Sequence, residues 1–269
     1  MADTTEVTDL TDHAANLPSA RPGPEVLVIA AHPQLEHSRI NRRLMRAAAG
    51  GAAGGAATVE VRDLYALYPD YLIDIEAEQA LLESARLVVW QHPIHWYSMP
   101  PLMKLWVDEV LAFGWAYGPG GNALRGKDLW LVATTGGPEE SYHPDSFNRY
   151  VFDAFLPPYE QTAALCGMRF LPPLLLHGAH RASEAEVAAH VGVYTHRLAS
   201  HPNWPELDDL LYGLACAVPE DARPDDEPEA STGRAPGRST GQEGARLANP
   251  DGPHPLGGSA AAAGGREAR

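Results

Sequence analysis

The stretch AHPQLEHSRIN, residues 31–41, ends an apolar run at His32 and Pro33 and then gathers imidazole, hydroxyl, guanidinium and amide groups ahead of a helical pattern. Two chemistries use such an opening. A zinc site needs carboxylates beside the histidine, yet Gln34 and Leu35 follow, and Glu36 or His37 would serve only in a shifted loop. A lone His32 makes a poor zinc site, so no metal is expected. A phosphate socket needs free backbone N–H groups at a helix start, with short polar side chains beside them. Ser38, Arg39, Ile40 and Asn41 fit that need, Arg39 adding charge and His32 donating from the strand end. A capped helix without a ligand explains the same residues equally well.

Two further loops carry chemistry. In QHPIHWYSMPP, residues 91–101, Ile94, His95, Trp96 and Tyr97 precede a Pro-Pro helix start. Such a loop suits a flat ring held against a rigid backbone, or else core packing against the next helix. His92 and His95 alone cannot make a metal centre, and His92 reads as a hydrogen-bonded structural histidine. In TTGGPEESYHP, residues 134–144, Thr134 and Thr135 supply hydroxyls, while Gly136 and Gly137 let the backbone turn tightly and approach a ligand.

These loops must be positioned by a sheet. Residues 26–31 form an apolar run without alternation, the mark of a strand covered on both faces. Ser38 can cap a helix to about Ala49, followed by the Gly/Ala-rich residues 50–57. Strands are expected at 58–62, 87–90, 129–135 and 169–176, and helices at 74–84, from Pro100 to about Leu111, at 144–156 and at 158–166. A last helix opens at the capping box Ser183-x-x-Glu186. Five strands separated by helices describe an α/β fold, a five-stranded parallel sheet with helices on both faces, wound in the dinucleotide or the flavodoxin order. There is no G-x-G-x-x-G and no P-loop. The loops after strands one, three and four then offer a phosphate socket, an aromatic clamp and a glycine cradle along one sheet edge, which is what a flavin mononucleotide needs.

Bulk properties bound the rest. The net charge of -15 and pI near 5.1 argue against nucleic-acid binding. No run offers the roughly 20 apolar residues of a membrane span, and the polar, acidic N-terminus does not read as a secretory signal. Cys166 and Cys216 fit no disulfide or metal framework and read as structural, in a reducing, cytoplasmic setting. The expected organisation is a disordered leader over 1–24, a folded α/β domain over 25–205 with 206–218 as a candidate extra helix, and a disordered tail over 206–269.

The spans VVWQHPIHWYSMPPLMKLWVDEVLAFGWAYG and TTGG, with the AHP, HS and N elements of residues 31–41, resemble the flavodoxin-like NAD(P)H:quinone oxidoreductases. RDLYALYPDYLIDIEAEQALL and CGMRFLPPLLLHGA are similar to the ancillary flavoproteins of glutathione-regulated potassium-efflux antiporters. The resemblance covers about residues 25–200. It implies FMN rather than FAD, with His32, Ser38, Arg39, Ile40 and Asn41 at the phosphate. It also implies Ile94, His95, Trp96 and Tyr97 along the isoalloxazine, and Thr134, Thr135, Gly136 and Gly137 at its polar edge. NAD(P)H as cosubstrate and a quinone acceptor would alternate in a two-electron ping-pong cycle. The resemblance further implies a homodimer and an antiporter partner, which would bring the protein to the inner face of the membrane. Animal enzymes of this fold carry a Tyr and a His after the Gly-Gly turn. Tyr142 stands in the first position as the candidate catalytic residue, but Asn148 occupies the second. A surface role for Tyr142 and His143 on a loop stays open. So does the choice between a subunit contact and core packing for Phe113, Trp115 and Tyr117.

Overall fold

The structure, a computed structural model, describes residues 23–50 and 58–210. The leader up to residue 22, most of the Gly/Ala-rich segment, Cys216 and the tail from 211 onward lie outside the described residues.

Five strands form one parallel sheet: β1 (Val26–Ala30), β2 (Val59–Asp63), β3 (Leu87–Pro93), β4 (Asp128–Thr134) and β5 (Arg169–Leu176). Their order is β2-β1-β3-β4-β5, the flavodoxin-type winding. Every residue of β1, β3 and β4 is buried, as their unbroken apolar runs require, whereas β2 at the edge is half-buried throughout.

The helices are α1 (Asn41–Ala49), α2 (Leu64–Leu67), α3 (Ile75–Ser84), α4 (Pro101–Val110), α5 (Pro157–Leu165) and α6 (Glu184–Ser200). Alternation along the strands divides the core in two. Leu27, Ile29, Trp90 and Leu131 pack with Leu82 of α3, Trp106 of α4 and Tyr159 of α5. Val28, Val89, Trp130 and Val132 point the other way, onto Leu44 of α1 and Val187, Tyr194 and Leu198 of α6. Helix α6 begins at the expected capping box, with Ser183 and Glu186 bonding reciprocally. Asp74 caps α3, and Pro100 with Pro101 opens α4.

Two buried charge networks brace the sheet. Glu78 is fully buried, and its carboxylate receives Arg62 at 2.7 Å, the Tyr68 hydroxyl at 2.6 Å and Trp106 Nε1 at 3.0 Å. A buried carboxylate is tolerable only with its lone pairs engaged in this way. At the end of the sheet remote from the three loops, Asp128 meets Arg169 through both oxygens (2.8 and 3.0 Å) and His201 Nε2 at 2.7 Å. Arg169 also donates to Leu207 O at 2.9 Å. With Trp204 and Leu207 buried and a 3-10 helix at Pro205–Asp209, ordered packing continues past residue 205.

The helix expected over 144–156 does not form. Arg149 sits at φ +60, and the Asn148 amide nitrogen bonds Ser141 Oγ at 2.8 Å, so the segment folds back on itself. Only a 3-10 turn, Phe152–Phe155, survives of that helix. Trp115 and Tyr117 pack against the core, and Trp115 Nε1 bonds Glu83 at 3.2 Å.

Candidate functional site

The winding reverses between β1 and β3, so the loops leaving these strands diverge and open a crevice at their carboxyl ends. A cavity of about 440 Å³ lies there. Its walls include His32, Ser38, Arg39, Ile40 and Asn41 after β1, Ile94 and His95 after β3, and Thr134, Thr135 and Gly136 after β4. Three loops nominated from sequence thus meet in one place.

At the first wall, a 3-10 turn (Leu35–His37) carries the chain to α1, which starts at Asn41 rather than directly after Ser38. Ser38 Oγ still accepts the Asn41 N–H at 3.1 Å. The N–H groups of Arg39 and Ile40 have no protein partner among the described residues. His32 Nδ1 accepts the Gln34 N–H at 3.1 Å, so the neutral ring carries its proton on Nε2 as a donor. Burial, and then the neighbouring His95, lower the His32 pKa and hold it neutral. The Arg39 guanidinium is engaged elsewhere, bonding Glu184 at 2.7 Å and Ala182 O at 3.1 Å, so its charge is balanced across the gap to α6. Asn41 is buried at the cavity wall; its Nδ2 donates to Thr134 Oγ1 at 3.0 Å, while its Oδ1 has no partner among the described residues.

The second loop is strained. His95 and Ser98 exchange backbone bonds (2.9 and 3.0 Å) around Trp96 at φ +48 and Tyr97 at φ +65. Two consecutive positive φ values are the geometry of a type I′ turn, normally built from Asn and Gly. Two aromatic residues in that conformation cost on the order of 1 kcal/mol each. Trp96 is 93% exposed, and neither its ring nor that of Tyr97 lines the cavity itself. Tyr97 stacks on Phe155 with ring centres 5.1 Å apart. The N–H groups of Trp96 and Tyr97 are unpartnered among the described residues.

The third loop is a cradle. The N–H groups of Gly136 and Gly137 are likewise unpartnered among the described residues. A Cβ on Gly136 would sit 3.4 Å from His180 Nε2, and one on Gly137 would sit 2.7 Å from Ser141 Oγ. Gly137 itself is not among the cavity-lining residues. A fourth loop, after β5, was missed from sequence. It contributes Ala179 and His180 to the wall and places His177 behind the Gly-Gly turn. The lone histidines of LLLHGAHR carry no spacing signal that would have marked them.

Tyr142 lies beside the cavity rather than on its wall. Its ring packs against Phe152, Phe155 and His177. His143 is turned to solvent, 3.7 Å from Asp145. His92 is fully buried; burial drives its pKa down to about 4, and its Nδ1 bonds Pro93 O. Cys166 is buried, and its thiol is pushed up to about 12 by desolvation, so it is not a reactive thiolate. Among the described residues, no group of three or more His, Cys, Asp or Glu could hold a metal ion.

The donor set fits a phosphorylated flat ring. Along the cavity wall, the Arg39, Ile40 and Gly136 N–H groups and the buried Asn41 Oδ1 have no partner among the described residues, and the neutral His32 donates from Nε2. Winding and crevice together define a flavodoxin-type α/β protein with an open site at the carboxyl ends of its strands.

The chain belongs to the family described as having a flavodoxin-like fold, whose model matches residues 24–198. It is 45% identical over 183 residues to the glutathione-regulated potassium-efflux system ancillary protein KefF of Citrobacter koseri, spanning 68% of this chain and 98% of that protein. General stress protein 14 of Treponema denticola, solved in complex with FMN, is 37% identical; the match covers 64% of this chain and 97% of that one, with a TM-score of 0.59. An NADPH-quinone reductase from P. pentosaceus is 25% identical over 66% of this chain and 98% of that one, with a TM-score of 0.57.

Proposed function

We propose that this protein is an FMN-dependent NAD(P)H:quinone oxidoreductase. The observation that carries the reading is that the N–H groups of Arg39 and Ile40 after β1 and of Gly136 after β4, all lining one crevice, have no partner among the described residues. The FMN-bound relative and the quinone reductase of the same fold support the choice of cofactor and reaction.

Bound FMN would supply two-electron redox chemistry between NAD(P)H and a quinone, in a ping-pong order. The chain's own groups do the rest. Ser38, Asn41, the Arg39 and Ile40 N–H groups and His32 Nε2 would hold the phosphate end. Ile94, His95 and the strained Trp96–Tyr97 turn would support the ring, with the exposed Trp96 side chain left to meet a planar acceptor. Gly136 and Gly137 would offer N–H groups, and Thr134 its hydroxyl, where negative charge develops on the reduced ring, while Thr135 braces the turn through its hydroxyl bond to Gly137 O. Tyr142 is the proposed proton donor to the reduced acceptor.

A second reading, compatible with the first, is an ancillary role on a potassium-efflux antiporter as a homodimer. The 45% identity to KefF over nearly all of that protein favours it. Among the described residues, no helix is long and apolar enough to cross a membrane.

Steady-state assays with NADH or NADPH and a soluble quinone test the enzyme reading. Parallel double-reciprocal lines are expected, and an FMN-loaded protein that turns over neither nucleotide with any quinone would contradict it. Co-purification with a co-expressed antiporter tests the second reading.

A further inference from the structure

The loop after β5 zips onto the Gly-Gly turn. Thr135 N–H donates to Leu176 O at 3.0 Å, Ala179 N–H to Thr135 O at 2.8 Å and Gly178 N–H to Gly137 O at 2.8 Å. Inside this zipper the Thr135 hydroxyl donates to Gly137 O at 2.7 Å and lies 3.0 Å from His177 Nδ1. A threonine hydroxyl has a single proton. Because that proton is committed to Gly137 O, the contact with His177 requires Nδ1–H as the donor. The imidazole thus fixes the hydroxyl, the hydroxyl fixes the Gly137 carbonyl, and the Gly136 and Gly137 N–H groups have no partner among the described residues.

His177 is itself clamped. Its ring lies 5.0 Å from Phe152, nearly perpendicular, and 5.3 Å from Tyr142. Glu139 is the charged group facing it, and burial outweighs that carboxylate to favour the neutral ring. Tyr142 rests on Phe155, which stacks on Tyr97. One imidazole therefore joins the loops after β3, β4 and β5 on the side of the cavity away from the phosphate socket.

We propose that His177 is a positioning residue for the ring end of the site: its Nδ1–H, acting through the Thr135 hydroxyl, presets the Gly136-Gly137 turn for flavin. The proposal rests on the flavin reading above. Asn148 occupies the second position after the Gly-Gly turn, and the histidine that reaches Tyr142 comes instead from the loop after β5.

The test uses the full chain with FMN added to the apoprotein, followed by flavin fluorescence, together with the urea midpoint of each apoprotein. H177F keeps an aromatic ring against Phe152 and Tyr142 but loses the donor. H177N keeps an N–H near the position of Nδ1, and T135V cuts the same relay from the other side. H177F should weaken FMN binding by about tenfold, H177N by no more than about threefold, and H177F/T135V by no more than about twofold beyond T135V alone. A purely structural role would instead follow the urea midpoint and would not be rescued by asparagine. If H177F does not fold, T135V against H177N decides: a tenfold loss in the first and near-wild-type binding in the second uphold the relay. Wild-type affinity in H177F, affinity in H177N as weak as in H177F, or multiplying losses in the double variant would overturn the inference while leaving the flavin reading in place. A wild-type chain that takes up no FMN would overturn both.

Discussion

Asn41 Nδ2 bonds Thr134 Oγ1 at 3.0 Å, joining the first residue of α1 to the last residue of β4 across the floor of the cavity. The bond is buried, and the oxygen of the same amide, Oδ1, has no partner among the described residues. The two lips of the crevice are thus preset by side chains already in place, which lowers the ordering cost of taking up a ligand.

Substitutions at the phosphate end should therefore act on binding more than on folding. The double variant S38A/N41A should bind FMN on the order of 100-fold more weakly, since each change removes a hydrogen bond from a charged or buried partner. Fluorescence titration of apoprotein reads the effect. Full cofactor retention would refute the phosphate assignment.

Trp96 offers a trade between stability and function. It is 93% exposed and held at φ +48, so W96G relieves backbone strain and sacrifices little packing. The unfolding free energy should hold or rise by up to about 1 kcal/mol, while KM for the quinone rises. Chemical denaturation and steady-state kinetics on the same preparation check the two halves. A variant that is both destabilised and fully active would contradict this account of the turn.

Two buried histidines set the acid limit. Burial lowers His92 and His190 to about 4 each, below the unfolded value of 6.5. Between these values the unfolded chain binds more protons, so the stability present above pH 6.5 is lost as pH falls towards 4. Each histidine contributes a slope of about 1.4 kcal/mol per pH unit. H92N should flatten the fall in urea midpoint between pH 6.5 and 4.5. An unchanged slope in H92N would show that His92 is not responsible.

The remote end of the sheet should respond in a lower window. Burial alone would raise the Asp128 carboxyl, but hydrogen bonds from His201 and Arg169 outweigh it and bring it below the usual carboxylate range. Its stabilisation is present above pH 4 and lost as pH falls below that. D128A should cost about 3 kcal/mol at pH 7 and leave FMN affinity unchanged, because the network lies at the opposite end of the strands. Denaturation and flavin titration test the separation.

Much of this was legible in the sequence because each signal was local. The runs at β1, β3 and β4 lack alternation, Ser183 with Glu186 writes a capping box, and Pro100 with Pro101 starts a helix. The three site loops followed from their place at strand ends. What failed depended on distant partners. Residues 144–156 have helical spacing, yet Asn148 is captured by Ser141 and Tyr97, and Phe147 is left 87% exposed. The left-handed turn at Trp96 and Tyr97 runs against the preferences of both residues, so no propensity predicts it. His177 and His180 join the site through sheet order, which pairs β5 with β4. The phosphate role expected for the Arg39 charge is weakened by Glu184, a residue 145 positions away.

The most direct measurement is the visible spectrum of the purified protein, with the cofactor released by denaturation and identified, followed by anaerobic addition of NAD(P)H and then quinone. The account predicts a yellow protein that releases FMN, bleaches with NAD(P)H and regains its colour with quinone. A colourless protein that cannot be reconstituted with FMN would contradict it.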